Sequence, residues 1–422
     1  MAGKLRIVAV FVAAMCGIHA CTSVACAQGV WLSAAGPVNR GMGGASTAAP
    51  LDAIGANYWN PATIRGLESN ELAFGLDLLY SNHSISSTLG PASGTTNSEN
   101  GFFPIPTVGW VHHLEDRPIS LGLFVGGVAG FKTNISEDPT NPILSPALPL
   151  GRISSEASFM QVAPSLAVSL TDNLSVSAGP TITMGEVGIE PFVFASPNAN
   201  GYPSARSSLY AWGGGAQFGV YYILDHLHLG ASLKTKSWME DFRFFSQNAA
   251  GAPATLRADI DLPMILSLGA AYSGVEDWVF STDVRYFDYS NTAGFGSPAV
   301  FDGAARLGGL GWSSVLAVAT GAQYRFSDCL YLRGGYTFNQ SPIHNNGAFF
   351  NMASPLYYQH MLSTGASWKL SECAAINVAY SYMLPADVSG PVVFPGMGAI
   401  PGSNVTQRLD VHILNFGVSV RY

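Results

Sequence analysis

From Cys373 to Leu384 the chain reads CAAINVAYSYML, and its side chains alternate without a break. Ile376, Val378, Tyr380 and Tyr382 fall on one face, while Asn377, Ala379 and Ser381 fall on the other. A period of two is the mark of a strand. Tyr358–Leu370 repeats the pattern, with His360, Leu362, Thr364, Ala366, Trp368 and Leu370 opposite Gln359, Met361, Ser363, Gly365, Ser367 and Lys369. In NLSVSAGPTITMG, Leu174, Val176, Ala178, Ile182 and Met184 oppose Ser175, Ser177, Thr181 and Thr183. Large apolar side chains on one face and small or polar ones on the other predict a sheet whose outer face meets lipid.

Composition narrows the choice. Charged residues make up 11% of the 422 residues, against roughly 25% in soluble domains. The N-terminus reads as a secretory leader. Lys4 and Arg6 give a positive start, Ile7–Ile18 an apolar core, and Ala25-Cys26-Ala27 a cleavage pattern that predicts a mature start at Gln28. A lipoprotein site at Cys21 or Cys26 is the alternative, although neither cysteine has a Leu three residues upstream. Removing the two leader cations takes the net charge from −8 to −10, which argues against nucleic-acid binding. After residue 27 there is no run of 18 apolar residues. An exported apolar chain without a spanning helix has one membrane-compatible form. It is a closed barrel, because lipid satisfies no backbone hydrogen bonds.

Short turns are read at Glu115–Pro118, Thr171–Asn173, Leu224–His226, Val275–Asp277, Ser327–Asp328 and Ser371–Glu372. Longer Gly/Pro/Asn/Ser segments lie near 88–102, 134–152, 195–205, 246–256, 292–312, 341–356 and 389–405. Six turns and seven loops connect about fourteen antiparallel strands, an even number as expected. Short turns belong on the periplasmic side and long loops outside. Trp110, Trp238, Trp278, Tyr286 and Trp368, near strand ends, would supply the interfacial girdles. Residues 28–70 do not alternate, and they are too few and too Gly-rich to bury a core alone. Their natural place is the lumen. The expected organisation is a leader over 1–27, a hatch or plug over 28–70 and an all-β transmembrane barrel over 71–422.

The segment GPVNRGMGGASTAAPLDAIGANYWNPATIRGLESNELAFGLDLLY (Gly36–Tyr80) resembles the N-terminus of the outer-membrane hydrophobic-compound transporters. This is the long-chain fatty-acid transporter (FadL) family, which includes aromatic-hydrocarbon uptake channels. Val162–Gly179, Asp261–Tyr272 and the terminal strand NFGVSVRY look like the family as well. The resemblance implies a monomeric 14-stranded barrel with an N-terminal hatch. It implies that an NPA segment packs near a kink in the third strand, where the wall opens sideways into the bilayer. Here the NPA residues are Asn60, Pro61 and Ala62, and the third strand is Ile119–Thr133. Its alternation breaks at Gly126-Gly127, with Gly130 nearby, and glycines inside a strand favour bulges. A tight corner between large neighbours is the alternative. Asn60 is expected to cap backbone groups freed by the kink, or else to form an ordinary turn into the first strand.

Implied function is passive uptake of fatty acids, related lipids or hydrocarbons at the bacterial outer membrane. The partners are such a hydrophobic molecule and outer-membrane lipid. Inward-facing charges are the candidate ligand groups: Lys234 and Lys236 in one strand, Asp283 and Arg285 in another. A lumenal salt-bridge network that holds the hatch is the other reading of each. Leu144 and Leu148, in the Pro/Leu-rich loop 139–151, are candidate collectors of apolar ligand, or else pack against neighbouring loops. Arg40–Ser46 (RGMGGAS) lacks the Gly-Lys-Ser/Thr of a phosphate loop, no His or Cys shows metal spacing, and no G-x-S-x-G motif occurs. No catalytic group, metal or cofactor is expected. Rival readings are a barrel enzyme such as a lipase, a structural or adhesive barrel with an immobile plug, and a channel specific for aromatic hydrocarbons. Cys329 and Cys373 follow short turns at the same offset. Two strand spacings, about 9–10 Å, exceed disulfide reach unless the turns bend, so a bridge and two buried thiols both stay open.

Overall fold

A computed structural model describes residues 28–146, 150–206 and 209–422. The expected leader and Leu148 lie outside the described residues. Among the described residues, fourteen long strands close into one antiparallel barrel. They are β1 (Glu71–Leu89), β2 (Phe102–His113), β3 (Ile119–Ile135), β4 (Ile153–Ser169), β5 (Leu174–Glu190), β6 (Ala211–Leu224) and β7 (Leu227–Lys234). The other half comprises β8 (Ile265–Val275), β9 (Trp278–Phe287), β10 (Val315–Arg325), β11 (Leu330–Asn339), β12 (His360–Ser371), β13 (Ala374–Gly390) and β14 (Asn404–Arg421). Each strand pairs with its sequence neighbour, and β1 pairs with both β2 and β14, which closes the ring.

The alternation decides which face meets what. On β13, Ile376, Val378 and Tyr380 are 45%, 39% and 40% exposed, whereas Asn377, Ala379 and Ser381 are buried. Phe74, Leu166, Ile182, Leu268, Leu362 and Phe416 continue the exposed apolar belt around the barrel. Such a surface would aggregate in water and suits hydrocarbon. Near the short-turn end, the Trp110 indole donates to the Tyr422 hydroxyl at 2.7 Å and stacks on His112, an interfacial arrangement in which rings face lipid and polar edges find partners. Trp238 and Trp368 are both 61% exposed.

The lumen is filled by the chain that precedes β1. Every residue from Gln28 to Ile64 except Leu32, Pro50 and Leu51 is buried. This stretch is mostly irregular, with two short helices, α1 (Pro37–Gly41) and α2 (Ala53–Trp59), and a 3-10 turn over Pro61–Gly66. Pro37 starts α1, where its missing N–H is no loss. The Asp52 carboxylate caps α2 by accepting from the Gly55 N–H at 3.2 Å.

Both described cysteines, Cys329 and Cys373, are exposed free thiols at short turns. Neither a disulfide nor a buried thiol is found, because each turn leaves its cysteine pointing into solvent.

Candidate functional site: the filled lumen and a gap in the wall

Between β2 and β3 the ladder of the wall stops part-way along the strands. β2 and β3 are in register from His113↔Ser120 up to Thr107↔Gly126, and the ladder stops there. Beyond it, β2 still pairs with β1 as far as Phe102↔Tyr80, and β3 still pairs with β4 as far as Ile135↔Ile153. The register of β3 on β4 shifts between Gly127 and Ala129, so Val128 is an extra residue, a bulge that turns the strand. A Cβ at Gly127 would lie 2.3 Å from Ile105 Cγ2, so no larger residue fits there without displacing the Ile105 side chain.

The lumenal chain covers the free edge of β3. The Leu32 N–H donates to the Val128 carbonyl at 2.8 Å, and the Gly130 N–H donates to the Val30 carbonyl at 3.0 Å. Trp31 and Ala129 form a β-bridge between them. The Tyr58 hydroxyl donates to the Leu32 carbonyl at 2.8 Å, and its ring packs on Phe124 of β3. The role expected of Asn60 is therefore taken by Val30–Leu32 and Tyr58. Asn60 is directed elsewhere. Its amide donates to the carbonyls of Thr47 at 2.8 Å and of Val220, on β6, at 2.9 Å, while its oxygen accepts from the Ala62 N–H at 3.1 Å. The barrel makes room for it with Gly219, where a Cβ would meet Asn60 Oδ1 at 2.1 Å. Asn60-Pro61-Ala62 thus pins the lumenal chain to the wall away from the kink.

Three cavities bear on passage. At the long-loop end lies one of about 380 Å³, lined by Phe131, Leu150, Phe159, Phe194, Phe295 and Phe350 among others. In the gap between β2 and β3 lies a small one of about 30 Å³, lined by Leu32, Phe103, Ile105, Gly130, Phe131 and Lys132. Phe131 borders both. At the short-turn end a third, of about 360 Å³, is lined by Asp52, Glu71, Arg333, Lys369 and Arg421 among others. Burial, and then the neighbouring Glu71, push the Asp52 carboxyl up to about 7.

The family model described as outer membrane protein transport protein (OMPP1/FadL/TodX) matches residues 18–422. The chain belongs to this family. Its localisation is accordingly the outer membrane. A FadL homologue of Pseudomonas aeruginosa superposes with a TM-score of 0.74 at 15% identity, covering 93% of this chain and 100% of that one. The Pseudomonas putida toluene transporter TodX gives 0.68 at 18% identity, covering 94% and 100%. The Ralstonia pickettii toluene transporter TbuX gives 0.62 at 18%, covering 93% and 99%. At these identities the likeness is one of fold. No curated protein matches the chain.

In this family member the inward charges are mostly committed. The Asp283 carboxylate accepts from the backbone N–H groups of Ser46 and Thr47, at 2.8 and 3.0 Å, and from the Thr47 hydroxyl. Arg285 pairs with Asp283, donates to the Gly44 carbonyl and lies 3.5 Å from the Trp59 ring centroid. Arg40 pairs with Asp77 of β1, both fully buried. These groups hold the lumenal chain, so Asp283 and Arg285 are not free ligand groups. Lys236 pairs with Asp261 at 3.4 Å. Lys234 is the exception: it is buried, donates to the Gln217 amide oxygen at 2.9 Å, and stands 5.6 Å from the Tyr58 ring. Leu144 is fully buried among loop residues and lies outside the outer cavity; from its loop, Leu150 lines that cavity instead. Phe131, Ile105 and the Val30–Leu32 segment were not legible as site residues. Their one sequence signal is the doublet Gly126-Gly127, which marks the bulge without naming what covers it.

Proposed function

We propose that the protein takes up hydrophobic compounds across the outer membrane by passive diffusion, and that they leave sideways through the gap between β2 and β3. The observation that carries this reading is Phe131, the common wall of the outer cavity and the gap. An apolar molecule held among Phe159, Phe295 and Phe350 has one aromatic ring between it and an unpaired stretch of wall. Beyond that wall is the bilayer, so the molecule never enters water. Residues 28–70 act in this reading as the hatch, and Gly126, Gly127 and Gly130 as the portal glycines. The outer cavity favours neutral cargo, such as hydrocarbons, over fatty acids. Arg257, a cation on its lining, already pairs with Asp241 at 3.2 Å.

A structural barrel with an immobile plug is the competing reading, and it draws on the anchoring of the lumenal chain by Asp283, Arg285 and Arg40. Uptake decides between them. Gly127→Trp would fill the gap against Ile105, and radiolabelled toluene uptake by cells should then drop to the level of cells lacking the protein. Uptake is normalised to the heat-modifiable folded band on a gel. Wild-type uptake by the folded variant would mean that cargo leaves by another route.

A further inference from the structure

Why the β2–β3 ladder ends at Thr107 is written in the sequence FFPIPTVGW (Phe102–Trp110). Along an antiparallel strand, successive residues point their N–H and C=O groups to opposite neighbours. At the end of β2 the Leu114 N–H donates to the Ile119 carbonyl, at the start of β3, at 3.0 Å. One residue earlier, the His113 N–H donates to Asn70 at 2.7 Å, on the β1 side. The register of β2 on β1 is unbroken from Val111 to Phe102. Even-numbered residues therefore face β3 and odd-numbered residues face β1. Pro104 and Pro106 are both even. Proline removes two of the three donors that the unpaired stretch would turn toward β3, leaving only the Phe102 N–H at its end, and the β1–β2 ladder loses none. Both prolines are exposed on the lipid-facing side, so packing inside the barrel does not explain them.

Proline alone does not open a wall. Pro164 and Pro180 sit opposite each other on β4 and β5, and the ladder lapses between Val162↔Ile182 and Leu166↔Ala178, yet the register is the same on both sides. At β2 the prolines coincide with the β3 bulge, and β3 there has a substitute partner in Val30–Leu32.

We propose that Pro104 and Pro106 are the positioning residues of the lateral exit. By stripping donors from the gap-facing edge of β2, they prevent β3 from annealing to it beyond Gly126. The free edge of β3 is left to a partner that is not part of the barrel wall and can be withdrawn. The proposal rests on the lateral-exit reading above. Its test is the double variant Pro104→Val/Pro106→Val, which keeps the lipid-facing surface apolar and restores both donors. The variant Pro164→Val/Pro180→Val restores the same number of donors elsewhere and serves as control.

Two quantities are measured on the folded barrel: amide hydrogen exchange of peptides spanning 102–108 and 127–133, and uptake of radiolabelled toluene and of a radiolabelled long-chain fatty acid. The expected result is slowed exchange in both peptides and uptake reduced by roughly thirtyfold, the factor that two ordinary hydrogen bonds contribute to an equilibrium. The control should keep wild-type uptake. If the double variant fails to fold, the single variants carry the test, each expected at roughly fivefold. Wild-type exchange or wild-type uptake in the proline variants overturns the proposal. If Gly127→Trp still blocks uptake in that case, the lateral exit survives and only the role of the prolines falls; if Gly127→Trp also transports normally, both fall.

Discussion

Asn60 has all its amide hydrogen bonds inside the protein, to Thr47, Val220 and Ala62, and none of its surface reaches solvent. Asn60→Ala removes a donor from the Thr47 and Val220 carbonyls and the acceptor of the buried Ala62 N–H. That should destabilise the folded protein by about 1–3 kcal/mol, read as a lower conversion temperature of the folded gel band. Because Asn60 contacts β6 and Gly127 faces β2, the two share no partner. Their effects on stability in the Asn60→Ala/Gly127→Trp double variant should therefore add to within about 0.5 kcal/mol. A large coupling would return Asn60 to the kink. At the same scale, the residue types around the gap divide the work. Glycine permits the bulge and the close approach of Ile105, and Phe131 closes the space between outer cavity and wall.

Among elements, the lumenal chain is the least regular, and it is tied to the barrel by side-chain hydrogen bonds and ion pairs. Its helices are too short to be stable alone, so the barrel must specify its shape. Asp283 does so by accepting two backbone N–H groups and one hydroxyl from Ser46 and Thr47, and it also neutralises Arg285. Asp283→Ala leaves a buried guanidinium without its counter-charge, a loss of about 3–5 kcal/mol. The expected outcome is an intact barrel whose segment 28–66 becomes sensitive to protease and which leaks small hydrophilic solutes. Unchanged protease resistance would mean that packing by Trp31, Tyr58 and Trp59 holds the chain without the charges. Val30–Leu32 is bonded differently. Its hydrogen bonds to β3 are two backbone bonds at an edge, and Tyr289 and Tyr58 hold it from the other side.

For the whole molecule, the two ends of the barrel differ. The outer cavity is built from long loops, and both free thiols sit at short turns. If short turns face the periplasm, a membrane-impermeant maleimide should label Cys329 and Cys373 only after the outer membrane is permeabilised. Labelling in intact cells would invert the topology and place the apolar cavity on the wrong side for uptake.

What the sequence determined by itself was the barrel: about fourteen strands, the turn positions and the lipid-facing side of the strands whose alternation is clean. Those depend on a period of two and on turn residues, which are local: Asp116, Asp172, Asp225, Asp277 and Asp328 mark five of the short turns, and Ser371-Glu372 the sixth. The Gly126-Gly127 interruption was legible for the same reason. Which partner fills the kink was not. Asn60 and Tyr58 are two residues apart, and only the path of the lumenal chain sends one to β6 and the other to β3. Asp283 and Arg285 were legible as inward charges, but a charge does not show whether it meets a ligand or the protein's own backbone. That was decided by contacts between residues more than two hundred positions apart, which no local pattern encodes, because closing the barrel is what brings them together.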